Sequence, residues 1–232
     1  MTFGVTPGVT IAERWREVTA RVAAACERAG RSAGEVTIVA VSKTHPAEAI
    51  REAQAAGAVD FGENYAQELA GKAAELAGAP LRWHFIGRLQ RNKARLVAGR
   101  VALIHAVDSV ELAAEIGRRA AGATQPILLA VNLGGEASKG GVTAEAAPAV
   151  AAALAGIAGT SLDGLMTMPP PADDPEASRP KFAALGALRD RLAHQLGRPL
   201  PVLSMGMSHD FEVAIACGAT HLRIGTAIFG SR

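Results

Sequence analysis

The sequence predicts a single-domain (β/α)8 barrel with one additional helix in front. Three observations predict it. Eight short apolar runs recur along the chain, at residues 36–42, 58–62, 82–87, 102–107, 127–133, 161–168, 201–206 and 220–225. Alanine-rich helical stretches lie between them, at 46–56, 64–77, 109–121, 144–155, 175–196 and 208–217. The length of 232 residues falls in the range of about 200–250 that eight strand–helix units need to close. Alternation of this kind implies a parallel sheet with crossover helices. A doubly wound open sheet is the alternative. It ranks lower because no Gly-x-Gly-x-x-Gly turn follows the first strand.

The leading helix spans 10–29. Ile11, Trp15, Val18, Val22 and Cys26 fall at helical spacing with charged residues between them, and Gly30 is a natural stop. The first strand holds four valine or isoleucine residues in near-continuous apolar sequence, the pattern of a strand buried on both faces. Met168-Pro169-Pro170-Pro171-Ala172-Asp173-Asp174-Pro175 is the nearest thing to a linker, and reads as a stiff loop after the sixth strand. One domain over 1–232 is therefore expected.

Bulk composition narrows the function classes. Net charge is +2, so no global field points to nucleic acid or an anionic membrane. The basic run Arg88, Arg91, Lys93, Arg95 and Arg100 reads as a solvated helix face, since no nucleic-acid motif accompanies it. Hydrophobic residues make up 49% and aromatics 4%, so the core is aliphatic. Cys26 and Cys217 match no metal or redox spacing and suit a reducing compartment. The first residues show no signal peptide, and the most apolar stretch, 142–157, is too short and weakly apolar to span a bilayer. A cytoplasmic protein, monomeric and away from the membrane, is expected.

In such a barrel the active site lies at the C-terminal ends of the strands. Lys43 ends the first strand there. A lysine at the mouth of a buried strand is costly unless it has work or a partner, and burial favours the neutral, nucleophilic amine that forms Schiff bases. Its ordinary meaning would be a side chain reaching solvent. Asn64 alone would be a helix N-cap, His84 a satisfied core histidine, and Met207 core filler. Ser208 and Asp210 stand where a helix should begin, and a helix N-terminus is an anion site. Gly225-Thr226 opens the final turn in the same way. Phosphate sites in these barrels commonly form after strands seven and eight. Arg223, one step inside strand eight, should point into the mouth, unless it forms an ion pair with Asp210 or Glu212. A Schiff-base lysine, a phosphate cradle and a buried arginine together suit a phosphorylated aldehyde, of which pyridoxal 5′-phosphate is the obvious member.

The segments Val39-Ala40-Val41-Ser42-Lys43, Phe61-Gly62-Glu63-Asn64-Tyr65, and Trp83-His84-Phe85-Ile86-Gly87-Arg88-Leu89-Gln90-Arg91-Asn92-Lys93 carry a family resemblance. So do Gly164-Leu165-Met166-Thr167-Met168, Leu203-Ser204-Met205-Gly206-Met207-Ser208, and Arg223-Ile224-Gly225-Thr226-Ala227-Ile228-Phe229-Gly230. With them the chain resembles the YggS/PROSC family of pyridoxal-phosphate homeostasis proteins, relatives of the alanine racemase N-terminal barrel. The resemblance implies that Lys43 holds pyridoxal 5′-phosphate as an internal aldimine. It implies that Ser208, with its neighbour Met207, Gly225 and Thr226 hold the phosphate end. Arg223 would face the pyridine nitrogen, and Asn64 and His84 would line the ring. Lys139 resembles a second, surface lysine for holding or passing on the cofactor. The implied role is a cofactor carrier and buffer, with PLP-dependent apoenzymes as partners and no efficient turnover. The alternatives are a PLP-dependent racemase of the same fold and a Schiff-base aldolase acting on a phosphorylated sugar.

Overall fold

The computed structural model describes residues 8–134 and 140–230. Its strands are β1 (Thr37–Val41), β2 (Asp60–Glu63), β3 (Arg82–Phe85), β4 (Leu103–Val107), β5 (Gln125–Ala130), β6 (Thr160–Met166), β7 (Val202–Ser204) and β8 (His221–Ile224). Each pairs in parallel with the next, and β8 closes on β1 through Thr37↔His221, Ile38↔Leu222, Val39↔Arg223 and Ala40↔Ile224. The helices are α1 (Ile11–Arg28), α2 (Ala47–Ala55), α3 (Ala66–Glu75), α4 (Val110–Arg119), α5 (Ala147–Ala155), α6 (Arg179–Leu196), α7 (Phe211–Ala216) and α8 (Thr226–Phe229). The eight-stranded barrel and the leading helix agree with the sequence expectation.

Alternation along each strand separates two environments. Outward residues such as Phe61, Phe85, Ile104, Leu129, Leu165 and Leu203 join the inner faces of the helices in the main core. Each such side chain contributes about 1.5–3 kcal/mol when fully buried. Inward residues fill the barrel, and there the strands differ in character, as described below.

α1 begins on a capping box. Thr10 Oγ1 accepts from the Glu13 N–H, and Glu13 Oε2 accepts from the Thr10 N–H. Its buried Trp15, Val18, Val22 and Cys26 pack it beside α2, α7 and α8. Both cysteines are free. No helix among the described residues is long and apolar enough to cross a membrane.

Some boundaries differ from the periodicity. The connection from β3 to β4 is a short 3-10 stretch, Arg91–Leu96, that buries only Ala94, because its other positions are mostly charged. α7 starts at Phe211 behind Asp210, leaving Ser208 in the loop. α3 starts at Ala66 with Tyr65 at the cap position, so Asn64 is not its N-cap.

Candidate functional site at the barrel mouth

Lys43 continues the inward parity of Val39 and Val41 and is half-buried at the exit of β1. The residues on either side of it are clamped from outside the barrel. Lys72 of α3 donates to the Ser42 carbonyl, to Glu63 Oε1 and to Glu68 Oε1, each at 2.7 Å. Ser42 Oγ donates to Glu63 Oε1 at 2.7 Å. Thr44 has φ 65°, a conformation that β-branched residues rarely take, and its N–H donates to Glu68. Burial pushes the Glu63 carboxyl up, against the hydrogen bonds of Lys72 and Ser42 that favour its charge. A strained turn held by buried charges is a feature of functional sites. His45 stacks on Phe229 with ring centroids 5.0 Å apart, which ties the same turn to α8.

β8, which pairs with β1, and β7 beside it supply the adjoining wall. Arg223 is 5% exposed. Its Nη1 donates to Ser204 Oγ at 2.6 Å and its Nη2 to the Thr167 carbonyl at 2.9 Å. No carboxylate among the described residues forms an ion pair with it. Glu212 pairs with Arg21, and Asp210 accepts from the Met207 N–H at 2.7 Å and from Ser178 Oγ at 2.9 Å. Burial pulls Arg223 down to about 10, with the Asp210 charge opposing, so it remains a cation at neutral pH. Through Asp210 the backbone of Met207 is fixed, and Ser208 Oγ beyond it accepts from the Ala227 N–H at 3.2 Å. The loop after β7 therefore meets the start of α8. Gly206 in that loop has φ 90°, and a Cβ there would lie 2.6 Å from Ala214 Cβ. At Gly225 a Cβ would meet Val41 Cβ at 3.4 Å, closing space between β8 and β1.

Lys43, Arg223, Ser208, Gly225 and Thr226 thus gather on one side of the mouth, with Met207 beside them. Asn64 stands at the end of β2, half-buried, on the edge of a cleft of about 770 Å³ shared with Tyr65, Gly87, Arg88 and Asp108. A Cβ at Gly87 would be 2.2 Å from the Asn64 carbonyl, so the chain packs against Asn64 backbone there. Lys139 lies outside the described residues.

The structure does not bring His84 to the mouth. On β3 the inward positions are His84 and Ile86, and His84 is the lower of the two. It lines a cavity of about 210 Å³ at the N-terminal end, together with Thr37, Asp60, Arg82 and His221. Its Nε2 meets Asp60 Oδ1 at 2.9 Å and its Nδ1 meets His105 Nε2 at 3.0 Å. Burial works against the Asp60 charge, but hydrogen bonds from His84 and Arg82 outweigh it and hold the carboxyl below its usual value. Burial, with His84 and Arg223 nearby, holds His105 well below the ordinary histidine value. Burial likewise brings His221 down to about 4.

Sequence reasoning missed Lys72, Glu68 and Asp60. Lys72 carried a signal: with Leu69 and Leu76 it occupies helical spacing on the buried face of α3, and Glu68 stands four residues before it. Asp60 stands two residues before Gly62 on β2, an alternate position that faces the interior.

Residues 17–232 match the alanine racemase N-terminal domain. A pyridoxal phosphate homeostasis protein of Pseudomonas aeruginosa is 47% identical over 225 residues, covering 96% of each chain. One from Aquifex aeolicus is 46% identical over 222 residues, covering 95% of this chain and 97% of its own. Among solved structures, PipY of Synechococcus elongatus with PLP bound superposes with a TM-score of 0.84 at 36% identity, covering 95% of this chain and all of PipY. The barrel, the inward lysine and arginine, and these likenesses place the chain in the family of the alanine racemase N-terminal domain, among the relatives called pyridoxal phosphate homeostasis proteins.

Proposed function

We propose that this chain binds pyridoxal 5′-phosphate at the barrel mouth and acts in its intracellular homeostasis as a carrier and buffer, without efficient turnover of amino acids. The observation that carries the reading is the convergence of Lys43, Arg223 and the Ser208–Gly225–Thr226 corner on one wall of the mouth. The names of the relatives and the PLP-bound PipY structure support it. The donor set fits the group: an amine at a half-buried strand exit, a buried cation with no carboxylate partner among the described residues, and a glycine that leaves backbone accessible beside a hydroxyl.

Pyridoxal phosphate, when bound, would supply an aldehyde open to a lysine amine and an electron-withdrawing ring. Lys43 is the attachment point, held in register by the Lys72–Glu63–Glu68 clamp. Ser208, Gly225 and Thr226 take the phosphate, and Met207 and Asn64 flank the bound molecule. Arg223 only donates hydrogen bonds, so beside a pyridine nitrogen it would favour the unprotonated ring, a weaker electron sink. Tyr65, the one tyrosine of the chain, is 59% exposed and lines the outer cleft, so it offers no acid or base across from Lys43.

The test is the absorbance of freshly purified protein, followed by borohydride reduction and peptide mapping. The expected result is a visible-range chromophore trapped on Lys43 and lost in Lys43→Ala. Label on another side chain overturns the assignment, and a colourless protein that takes up no PLP points instead to a Schiff-base aldolase. A panel of amino acids separates carrier from racemase: turnover of roughly one per second or more would defeat the carrier reading.

A further inference from the structure

An unbroken chain of hydrogen bonds runs through the barrel interior. Arg223 Nη1 donates to Ser204 Oγ at 2.6 Å, and Ser204 Oγ meets His105 Nδ1 at 2.8 Å. His105 Nε2 meets His84 Nδ1 at 3.0 Å, and His84 Nε2 meets Asp60 Oδ1 at 2.9 Å. At the N-terminal end the exposed Arg82 closes on both oxygens of Asp60, at 2.8 and 2.6 Å. Asp60, His84, His105, Ser204 and Arg223 are all buried.

With both imidazoles neutral, one arrangement of protons satisfies every member. The Asp60 carboxylate only accepts, so His84 carries its proton on Nε2 and accepts at Nδ1. His105 must then donate from Nε2 and accept at Nδ1. Ser204 gives its hydroxyl proton to His105 and accepts from Arg223. From Arg223 down to Asp60 every donor points away from the mouth, and the guanidinium is held by a neutral acceptor instead of a carboxylate. A second proton on His84 changes this. His84 Nδ1 becomes a donor, His105 turns over to its Nδ1–H form, and Ser204 Oγ receives two donors while its own proton loses its acceptor. His84 is reachable from solvent, because the N-terminal cavity runs past it. The titratable groups facing it are Asp60 from β2, His105 from β4 and His221 from β8, with Arg82 beyond Asp60.

The geometry points to Asp60, His84, His105 and Ser204 as a polarised relay that positions Arg223 at the mouth and carries a protonation at the far end of the barrel to it. These are positioning residues: none need touch the bound molecule. The relay's effect on a cofactor rests on the proposed function; its existence does not.

Two measurements decide it. In the full-length protein labelled with nitrogen-15, imidazole spectra at neutral pH should show His105 protonated on Nε2 only. On acidification His105 should switch to Nδ1–H as His84 gains its second proton. A His105 protonated on Nδ1 at neutral pH, or unchanged while His84 titrates, overturns the relay whatever any variant does. The second measurement compares His84→Phe with His84→Gln, whose amide keeps a donor and an acceptor. In a folded His84→Phe, PLP should bind about two- to thirty-fold more weakly, with a shifted absorbance maximum, and His84→Gln should recover most of both. Affinity and spectrum unchanged in folded His84→Phe sink the proposal. If the wild type binds no PLP while the tautomers behave as stated, the cofactor reading fails and the relay stands.

Discussion

Two sectors of the barrel interior follow opposite rules. Leu103, Leu128, Ala130 and Met166 form a small apolar cluster, separate from the main core, with Ala106 and Val202 against it. Elsewhere in the interior Asp60, His84, His105, Ser204 and Arg223 are joined by hydrogen bonds. The apolar sector is what a barrel filled for stability contains. The polar seam gives no stability that well-packed aliphatic side chains would not match, and it is costly wherever one member loses its partner. Its justification lies at its upper end. Under the proposed function Arg223 faces a ligand, and a guanidinium in that role is served by neutral oxygens instead of a carboxylate: here Ser204 Oγ and the Thr167 carbonyl. The contrast teaches that packing and positioning are assigned to different positions of one closed sheet, even along a single strand: β4 gives Leu103 to the first and His105 to the second.

Truncation in the apolar sector is the strongest way to break the comparison. Leu128 is fully buried, and Leu128→Ala should lower unfolding free energy by about 2–5 kcal/mol in urea titrations. PLP affinity of the folded fraction should stay at the wild-type value; a parallel loss would mean that the two sectors are not separable. In the seam the balance reverses. Ser204→Ala strands a guanidinium N–H and a ring nitrogen, at a cost of about 1–3 kcal/mol. It should weaken PLP binding more than Leu128→Ala does, although it removes less stability. The two variants measured side by side, by urea titration and by absorbance titration with PLP, set the two sectors on one scale.

How much of this was legible beforehand depends on the range of the interaction. Strand–helix alternation is a local pattern, and the eight strands and the leading helix could be read from it. Lys43 and Arg223 were legible because a charged residue at the end of an apolar run stands out against its neighbours. Boundaries such as Phe211 at the start of α7 were not, since the cap is decided by what Asp210 holds across the loop, the Met207 N–H and Ser178. Nor was the seam. Asp60, His84 and His105 belong to three strands, and only their register places one ring against the next. His84 shows the limit clearly: its strand and its inward face follow from alternation, but which end of the barrel it serves depends on partners 21 and 24 residues away.

The most gradual expected effect, spread over the pH scale, belongs to His221, whose ring packs against His84 and His105 of the seam. His221 is held near 4 in the folded chain against an ordinary 6.5, by burial first and then by the neighbouring His84. Its folded value is depressed, so the unfolded chain binds the proton first as pH falls. The associated stability is complete above about 6.5 and is lost as pH drops toward 4. One such group tilts stability by at most about 1.4 kcal/mol per pH unit inside that window. His105, also depressed, adds to the same slope. Urea titrations at several pH values through the window should therefore show wild type losing stability more steeply than His221→Gln, with the two slopes converging above it. Leu128→Ala should run parallel to wild type throughout, because the apolar sector carries no titrating group. Equal slopes for wild type and His221→Gln would show that the folded interior tolerates a charged imidazole there, and that the division between the two sectors is one of shape alone.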